Sequence, residues 1–143
     1  MATGYNLIDV PLTSLEKIMG AIVDKPWGQY TDFFRSHNVV FKQIFVKPQE
    51  ELSYQSHEKR SEFWYVQSGT GELTLEGLTT VMERGDNVKI DKRVKHKIKN
   101  IGQSDLIIYE MQCGECDEED IIRYEDKYGR ENAPPSFKDV KFY

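Results

Sequence analysis

Hydrophobic and polar residues alternate along the middle of the chain. Val40, Lys42, Ile44 and Val46 fall on one parity, and Phe41, Gln43, Phe45 and Lys47 on the other. Leu73 and Leu75 alternate with Glu72, Thr74 and Glu76, while Val88 and Ile90 flank Lys89. A period of two places alternate side chains on opposite faces of a strand, so each run predicts a strand with one inward face. Leu106 to Met111 reads as a continuous apolar strand. Turn residues separate the runs at Pro48-Gln49, Ser68 to Gly71, Arg84 to Asn87 and Ile101 to Ser104. Short strands at this spacing between Tyr30 and Gln112 predict an antiparallel sandwich or barrel. The flanks read differently. Asp117 predicts the cap of a short C-terminal helix, with Glu118, Glu119 and Asp120 in its first turn and Ile121, Ile122 and Tyr124 on one side. Gly129 supplies its stop, and Pro11 to Met19 predicts a second short helix or an extended arm. The expected organisation is one domain over 1–143. It has a barrel core at about 26–113, an N-terminal arm at 1–25, and a C-terminal helix and tail at 117–143.

Composition narrows the class. The 143 residues carry 19 basic and 24 acidic side chains, for a net charge of −5, which argues against a general nucleic-acid or membrane-surface binder. Neither a bilayer-spanning apolar run nor a signal peptide is read at Met1-Ala2-Thr3-Gly4, so a cytoplasmic location is expected. Cys113 and Cys116 form a lone C-x-x-C among acidic neighbours, which raise thiol pKa values. With no second pair and no nearby His for a zinc site, two unpaired cytosolic thiols are expected.

The candidate chemistry lies between Gln55 and Trp64, joined by His96. Gln55 and His57 are two apart and point to one face of a strand. A turn through Glu58, Lys59 and Arg60 lets Glu62 open a return strand beside His57. His96, between Val94 and Ile98, shares their inward parity. Two imidazoles, a carboxylate and an amide oxygen then converge inside the barrel, a mixed set suited to Zn, Mn, Fe, Co or Ni. Lys42 shares the parity of Val40, Ile44 and Val46, so its ammonium needs an anion inside, either Glu62 or a substrate phosphate. Arg60, in the turn between His57 and Glu62, is a second phosphate candidate, and Lys59 a third. Parity turns Lys95, Lys97 and Lys99 outward, as a solvated face or one meeting the acidic 117–120 segment of a second copy.

These residues stand in the order and spacing of the cupin motifs, and the chain resembles that superfamily. The first motif is Gln55-x-His57, four residues, Glu62, six residues, Gly69. The second is Gly85, His96 and Asn100, with Asp91 and Arg93 where a Pro and a Gly usually stand. Lys25-Pro26-Trp27-Gly28, Val46-Lys47-Pro48, Leu52 to His57, Arg60 to Trp64, Val66 to Gly69, Asp120 to Arg123 and Asp126 to Arg130 carry it further. Together they resemble the type II mannose-6-phosphate isomerase domain, commonly the C-terminal part of bifunctional mannose-1-phosphate guanylyltransferases. The resemblance implies an all-β cupin barrel (a jelly-roll, or double-stranded β-helix). It also implies a divalent metal, Zn first, on Gln55, His57, Glu62 and His96; the inward parity of Lys42 and the place of Arg60 between two ligands make these the catalytic candidates. The implied reaction interconverts mannose 6-phosphate and fructose 6-phosphate through a cis-enediol. Lys42, Lys59 and Arg60 would bind the sugar phosphate, and a homodimer is expected. Lys59 and Phe63 replace common family histidines and Lys97 a common arginine, which keeps a non-catalytic sugar-phosphate or nucleotide-sugar binder as the alternative. An Fe(II) dioxygenase is disfavoured by the amide Gln55.

Overall fold

The computed structural model describes residues 20–131, and those residues form eleven strands in two antiparallel sheets. The strands are β1 (Ile22–Lys25), β2 (Gly28–Arg35), β3 (Val39–Val46), β4 (Tyr54–Ser56), β5 (Arg60–Ser68) and β6 (Gly71–Leu75), followed by β7 (Leu78–Met82), β8 (Asn87–Ile90), β9 (His96–Asn100), β10 (Leu106–Gly114) and β11 (Ile122–Glu125). The larger sheet runs β1-β2-β3-β10-β5-β8 and the smaller β11-β4-β9-β6-β7. The expected arm or helix at 11–19 and the tail from 133 lie outside the described residues.

Alternation sets which side chains face inward. On β3 the buried residues are Val40, Lys42, Ile44 and Val46, as their shared parity predicts. Leu106 and Ile108 on β10, Trp64 and Val66 on β5 and Ile90 on β8 meet Leu73 and Ile98 of the smaller sheet across the sandwich. The core is therefore apolar in its middle. Toward one end the same inward columns turn polar, through Asp32, Lys42, Arg60, Glu62, His96, Glu110 and Gln112, all buried. Such groups persist in an interior only when paired, so this end is where chemistry is concentrated.

Leu106 to Met111 forms a strand as expected, within β10, and on its outward side Tyr109 packs against Phe33 and stacks on Phe41. Two expectations need correction. The two sheets extend beyond 26–113, because β1 hairpins onto β2 and β11 joins the smaller sheet. The C-terminal helix from Asp117 is absent. Asp117 does accept the amide of Glu119 (2.9 Å), but helical turning stops there. The Asp120 carboxylate instead takes the amides of Glu58 and Lys59, each at 2.9 Å, and Ile122 and Arg123 pair with Ser56 and Gln55. Tertiary hydrogen bonds to the Glu58-Lys59 turn thus outcompete a local propensity worth only a few tenths of a kcal/mol per residue.

Candidate metal centre

Three strands from both sheets build the site. Gln55 lies on β4 opposite the first residue of β9, His96, and His57 follows β4 directly. Glu62 stands on β5, across from Gln112 of β10 and Ile90 of β8. His57, Glu62 and His96 are 2%, 3% and 1% exposed. Each offers one ligand-type atom, and the three atoms lie within 4.8 Å of one another.

The hydrogen bonds fix what those atoms offer. His57 Nδ1 is 2.6 Å from the Asp120 carbonyl and His96 Nδ1 is 2.9 Å from the Val94 carbonyl. A carbonyl can only accept, so both Nδ1 atoms carry hydrogen and both Nε2 atoms turn toward Glu62. His57 Nε2 sits 2.9 Å from Glu62 Oε1, and His96 Nε2 sits 3.7 Å from Glu62 Oε2. His96 Nε2 is buried without a hydrogen-bond partner. Burial, outweighing the attraction of Glu62, holds the His96 pKa below its ordinary value and keeps that lone pair available. Burial alone would raise the Glu62 pKa, but His57, His96 and Arg60 together hold it well below the usual carboxylate range. Both Nε2 atoms and the ionised carboxylate face one point, where Arg60 reaches His57 and Glu62 while His96 Nε2 is left without a partner. These residues fit a divalent metal, with backbone carbonyls fixing both imidazoles in the ligating tautomer.

Gln55 borders the set. Its Oε1 accepts from Ser53 Oγ at 2.7 Å and its Nε2 lies 3.5 Å from His57 Nε2. Ser53 can donate or accept, so a turn of the amide keeps that bond and delivers the oxygen toward the site.

The predicted cations take unequal places. Arg60 is not in an open turn: it is the first residue of β5 and is buried. Its guanidinium reaches Glu62 Oε1 (Nε, 3.3 Å), the Asp117 carbonyl (Nη1, 2.9 Å) and His57 Nε2 (Nη2, 3.3 Å). Lys42 points inward at 5% exposure, but its counter-charges are Asp32 (3.7 Å) and Glu118 (3.5 Å) rather than Glu62. Its ammonium also lies 4.2 Å from the centre of the Tyr30 ring. Lys59 is 63% exposed and faces Glu115 at 3.6 Å. It lines a surface depression with Asn38, Glu58, Lys92, Gly114 and Glu115 that includes none of the ligand residues. Lys97 faces Glu51 (3.9 Å) and Lys95 caps the Tyr124 ring, so the basic run is an outward face as parity predicts. The acidic 117–120 segment binds its own chain.

Several site residues escaped the sequence reading. Glu110 Oε2 and Glu62 Oε2 share the Trp64 indole N–H, at 2.8 and 2.9 Å, and Gln112 donates to Glu110 Oε1 at 2.6 Å. Burial, and then the Glu62 charge, push the Glu110 pKa up to about 8. The signal was present: Glu110 and Gln112 share the parity of Leu106 and Ile108. Glu118 gave none, being read as part of a helix turn. Arg93, in the second motif, has φ +68°, a backbone setting that favours the glycine usual there. Cys113 and Cys116 are free thiols, as expected.

A two-sheet β sandwich with a His–Glu–His cluster between its sheets is a cupin. The structure superposes on an RmlC-like cupin from Shewanella frigidimarina with a TM-score of 0.59 at 19% identity, covering 66% of this chain and 84% of the other. The chain belongs to the mannose-6-phosphate isomerase C-terminal family, which it matches over residues 14–126. A mannose-1-phosphate guanylyltransferase of Salmonella montevideo is 36% identical over 116 residues, 80% of this chain and 25% of that protein. The xanthan biosynthesis protein XanB of Xanthomonas campestris pv. campestris (strain B100) is 38% identical over 109 residues, 76% of this chain and 23% of that protein. The chain thus spans about a quarter of the length of these relatives.

Proposed function

We propose that this chain is a metal-dependent sugar-phosphate isomerase that interconverts mannose 6-phosphate and fructose 6-phosphate. The observation that carries the reading is the convergence of His57 Nε2, Glu62 and the unpartnered His96 Nε2 on one buried point. A divalent ion held there by these residues and Gln55, zinc first among Zn, Mn, Fe, Co and Ni, would polarise the sugar carbonyl. The protein's own side chains would do the rest. Arg60 orients Glu62 and His57, and Lys42 offers a buried positive charge to the phosphate. Isomerisation also needs a group that takes a proton from one carbon and returns it to the next. Glu110, a buried carboxyl with its pKa near 8 beside Glu62, has that character.

The non-catalytic alternative drew on Lys59, Phe63 and Lys97. None of the three points into the site: Lys59 and Phe63 are exposed and Lys97 faces Glu51. A coupled assay on metal-loaded protein is expected to show fructose 6-phosphate forming from mannose 6-phosphate. Turnover should stop on chelation and return with the metal. Stoichiometric metal without turnover of mannose 6-phosphate would overturn the enzyme reading and leave a binding module.

A cytoplasmic place of action is proposed on the two free thiols, which suit a reducing compartment. Among the described residues, no helix is long and apolar enough to cross a membrane. Pairing as a homodimer is supported by the outer face of the larger sheet, where Phe63, Tyr65 and Met111 are about 40% exposed beside the Phe33–Phe41–Tyr109 cluster. Sedimentation equilibrium is expected to give a dimer that Met111→Glu converts to monomer; a monomeric native protein would refute the pairing.

A further inference from the structure

The segment from Glu115 to Ile121 joins β10 to β11 and crosses over the polar end of the barrel. It is anchored by the site itself: Arg60 donates to the Asp117 carbonyl at 2.9 Å and His57 to the Asp120 carbonyl at 2.6 Å. Between these anchors, Glu118 sends its carboxylate inward. There it accepts from the Arg35 guanidinium and lies 3.5 Å from Lys42 Nζ. Burial would raise the Glu118 pKa, yet Lys42, Arg35 and Arg60 pull it down to about 2. This carboxylate is therefore held by concentrated positive charge.

A charge count shows what the pocket needs. Lys42 and Arg35 bring two positive charges, and Asp32 neutralises one, at 2.9 Å from Arg35 and 3.7 Å from Lys42. The second is matched by Glu118, because Glu110, Lys42's acidic neighbour across the ladder, has its pKa pushed up to about 8 by burial and the Glu62 charge. Withdrawing Glu118 leaves a buried ammonium and a half-buried guanidinium with one charge unmatched, a setting that demands an anion. Glu118 is also the easiest of these groups to withdraw. Asp32 and Lys42 are fixed in the ladders of β2 and β3, whereas Glu118 sits in a two-residue turn outside any strand.

The pocket connects to the metal centre through the sheet. Asp32, Lys42, Glu110 and Trp64 lie in one cross-strand row, and the Trp64 indole N–H bridges Glu110 to Glu62. Lys42 and the β5 column are two strand spacings apart, about 10 Å. A group bound at Arg35 and Lys42 is thus set apart from the Glu62 end of the site, as the phosphate of a hexose is set apart from its carbonyl.

We propose that Arg35 and Lys42 form the seat of the substrate's phosphate, and that the Glu118 carboxylate is an internal stand-in which the phosphate displaces as the 118–119 turn moves, the anchors at Asp117 and Asp120 staying in place. The sugar attached to that phosphate rests on the isomerase reading; the anion seat does not. A phosphate offers more charge and one more acceptor oxygen than a carboxylate, so it can replace Glu118 on the same donors. The 115–121 strap follows Gly114, whose φ of +131° and 2.3 Å Cβ clearance to the Lys59 carbonyl leave no room for a side chain.

The test is calorimetric titration of the metal-loaded full chain with inorganic phosphate in a chloride buffer. Glu118→Gln removes the competing charge but keeps the shape, and should tighten phosphate binding about tenfold. Arg35→Gln should weaken it by a similar factor, about tenfold, with partial recovery in Arg35→Lys. Glu118 lies in a turn outside any strand and its side chain is partly exposed, so its isosteric variant carries the test even if Arg35→Gln disturbs folding. Phosphate affinity unchanged or weakened in Glu118→Gln would overturn the proposal. Turnover is measured separately: tightened phosphate binding without mannose 6-phosphate turnover upholds the seat while the isomerase reading fails. Turnover that is indifferent to Arg35→Gln, with phosphate binding also indifferent, overturns the seat alone.

Discussion

Replacing His57 by alanine should strip the protein of bound metal. Among the described residues His57 supplies one of three ligand-type atoms that lie within 4.8 Å of one another, and its Nδ1 meets the Asp120 carbonyl. Loss of an outer-shell partner costs about 10–100-fold in metal affinity, and loss of a ligand itself should exceed that. Elemental analysis of the folded, gel-filtered variant is expected to find far less than one equivalent, with mannose 6-phosphate turnover lost in parallel. The variant also gives up one buried hydrogen bond to the strap, about 1 kcal/mol of stability, which a urea titration reads independently. Cys113→Ser serves as the control, because that exposed, free thiol lies outside the ligand cluster and should leave the metal in place. Full metal occupancy in His57→Ala would sink the assignment of this cluster.

Arg60→Met should be the most destabilising single change at the site when metal is absent. In the structure Arg60 is the cation that faces Glu62 and His57, and both ions of the pair are buried. Burial lowers the Arg60 pKa, but Glu62, Glu110 and Glu118 raise it further, so the guanidinium stays charged. Taking it away removes the permanent charge beside Glu62 and leaves the carboxylate to His57 and His96, and breaking such a buried pair costs about 3–5 kcal/mol. For a domain of this size that corresponds to a Tm loss on the order of 10 °C. A bound divalent ion would neutralise Glu62 by another route, so metal-loaded Arg60→Met should recover much of the loss. The measurable quantity is the Tm difference between chelated and loaded protein, which should be larger in the variant than in the native chain. Equal losses in both forms would show that Arg60 acts through packing and its bond to the strap, not through the Glu62 charge.

Much of the scaffold was legible because a strand's chemistry is local. Period-two alternation alone turned Val40, Lys42, Ile44 and Val46 inward and Lys95, Lys97 and Lys99 outward, and both hold in the structure. The ligand trio followed from the same rule, since spacing along strands determines which imidazoles and carboxylates share a face. Glu110 was legible in principle and overlooked, because a run of apolar residues hid its parity. The helix from Asp117 was misread for a different reason. Helix propensity and capping are weak local terms, and the Asp120 bonds to the Glu58-Lys59 turn were invisible without the fold.

The amino-acid sequence by itself therefore determined the central strands, their inward columns and the residues able to meet a metal. Tertiary structure alone decided the pairing of charges. Lys42 was expected to seek Glu62 or a substrate and instead meets Asp32 and Glu118, and Arg60 is buried against the ligands it was thought merely to flank. Side-chain parity is set within a few residues of chain. The partner of a buried charge is set by which distant segments the closed barrel brings within about 4 Å, where an ion pair is strong enough to compensate desolvation.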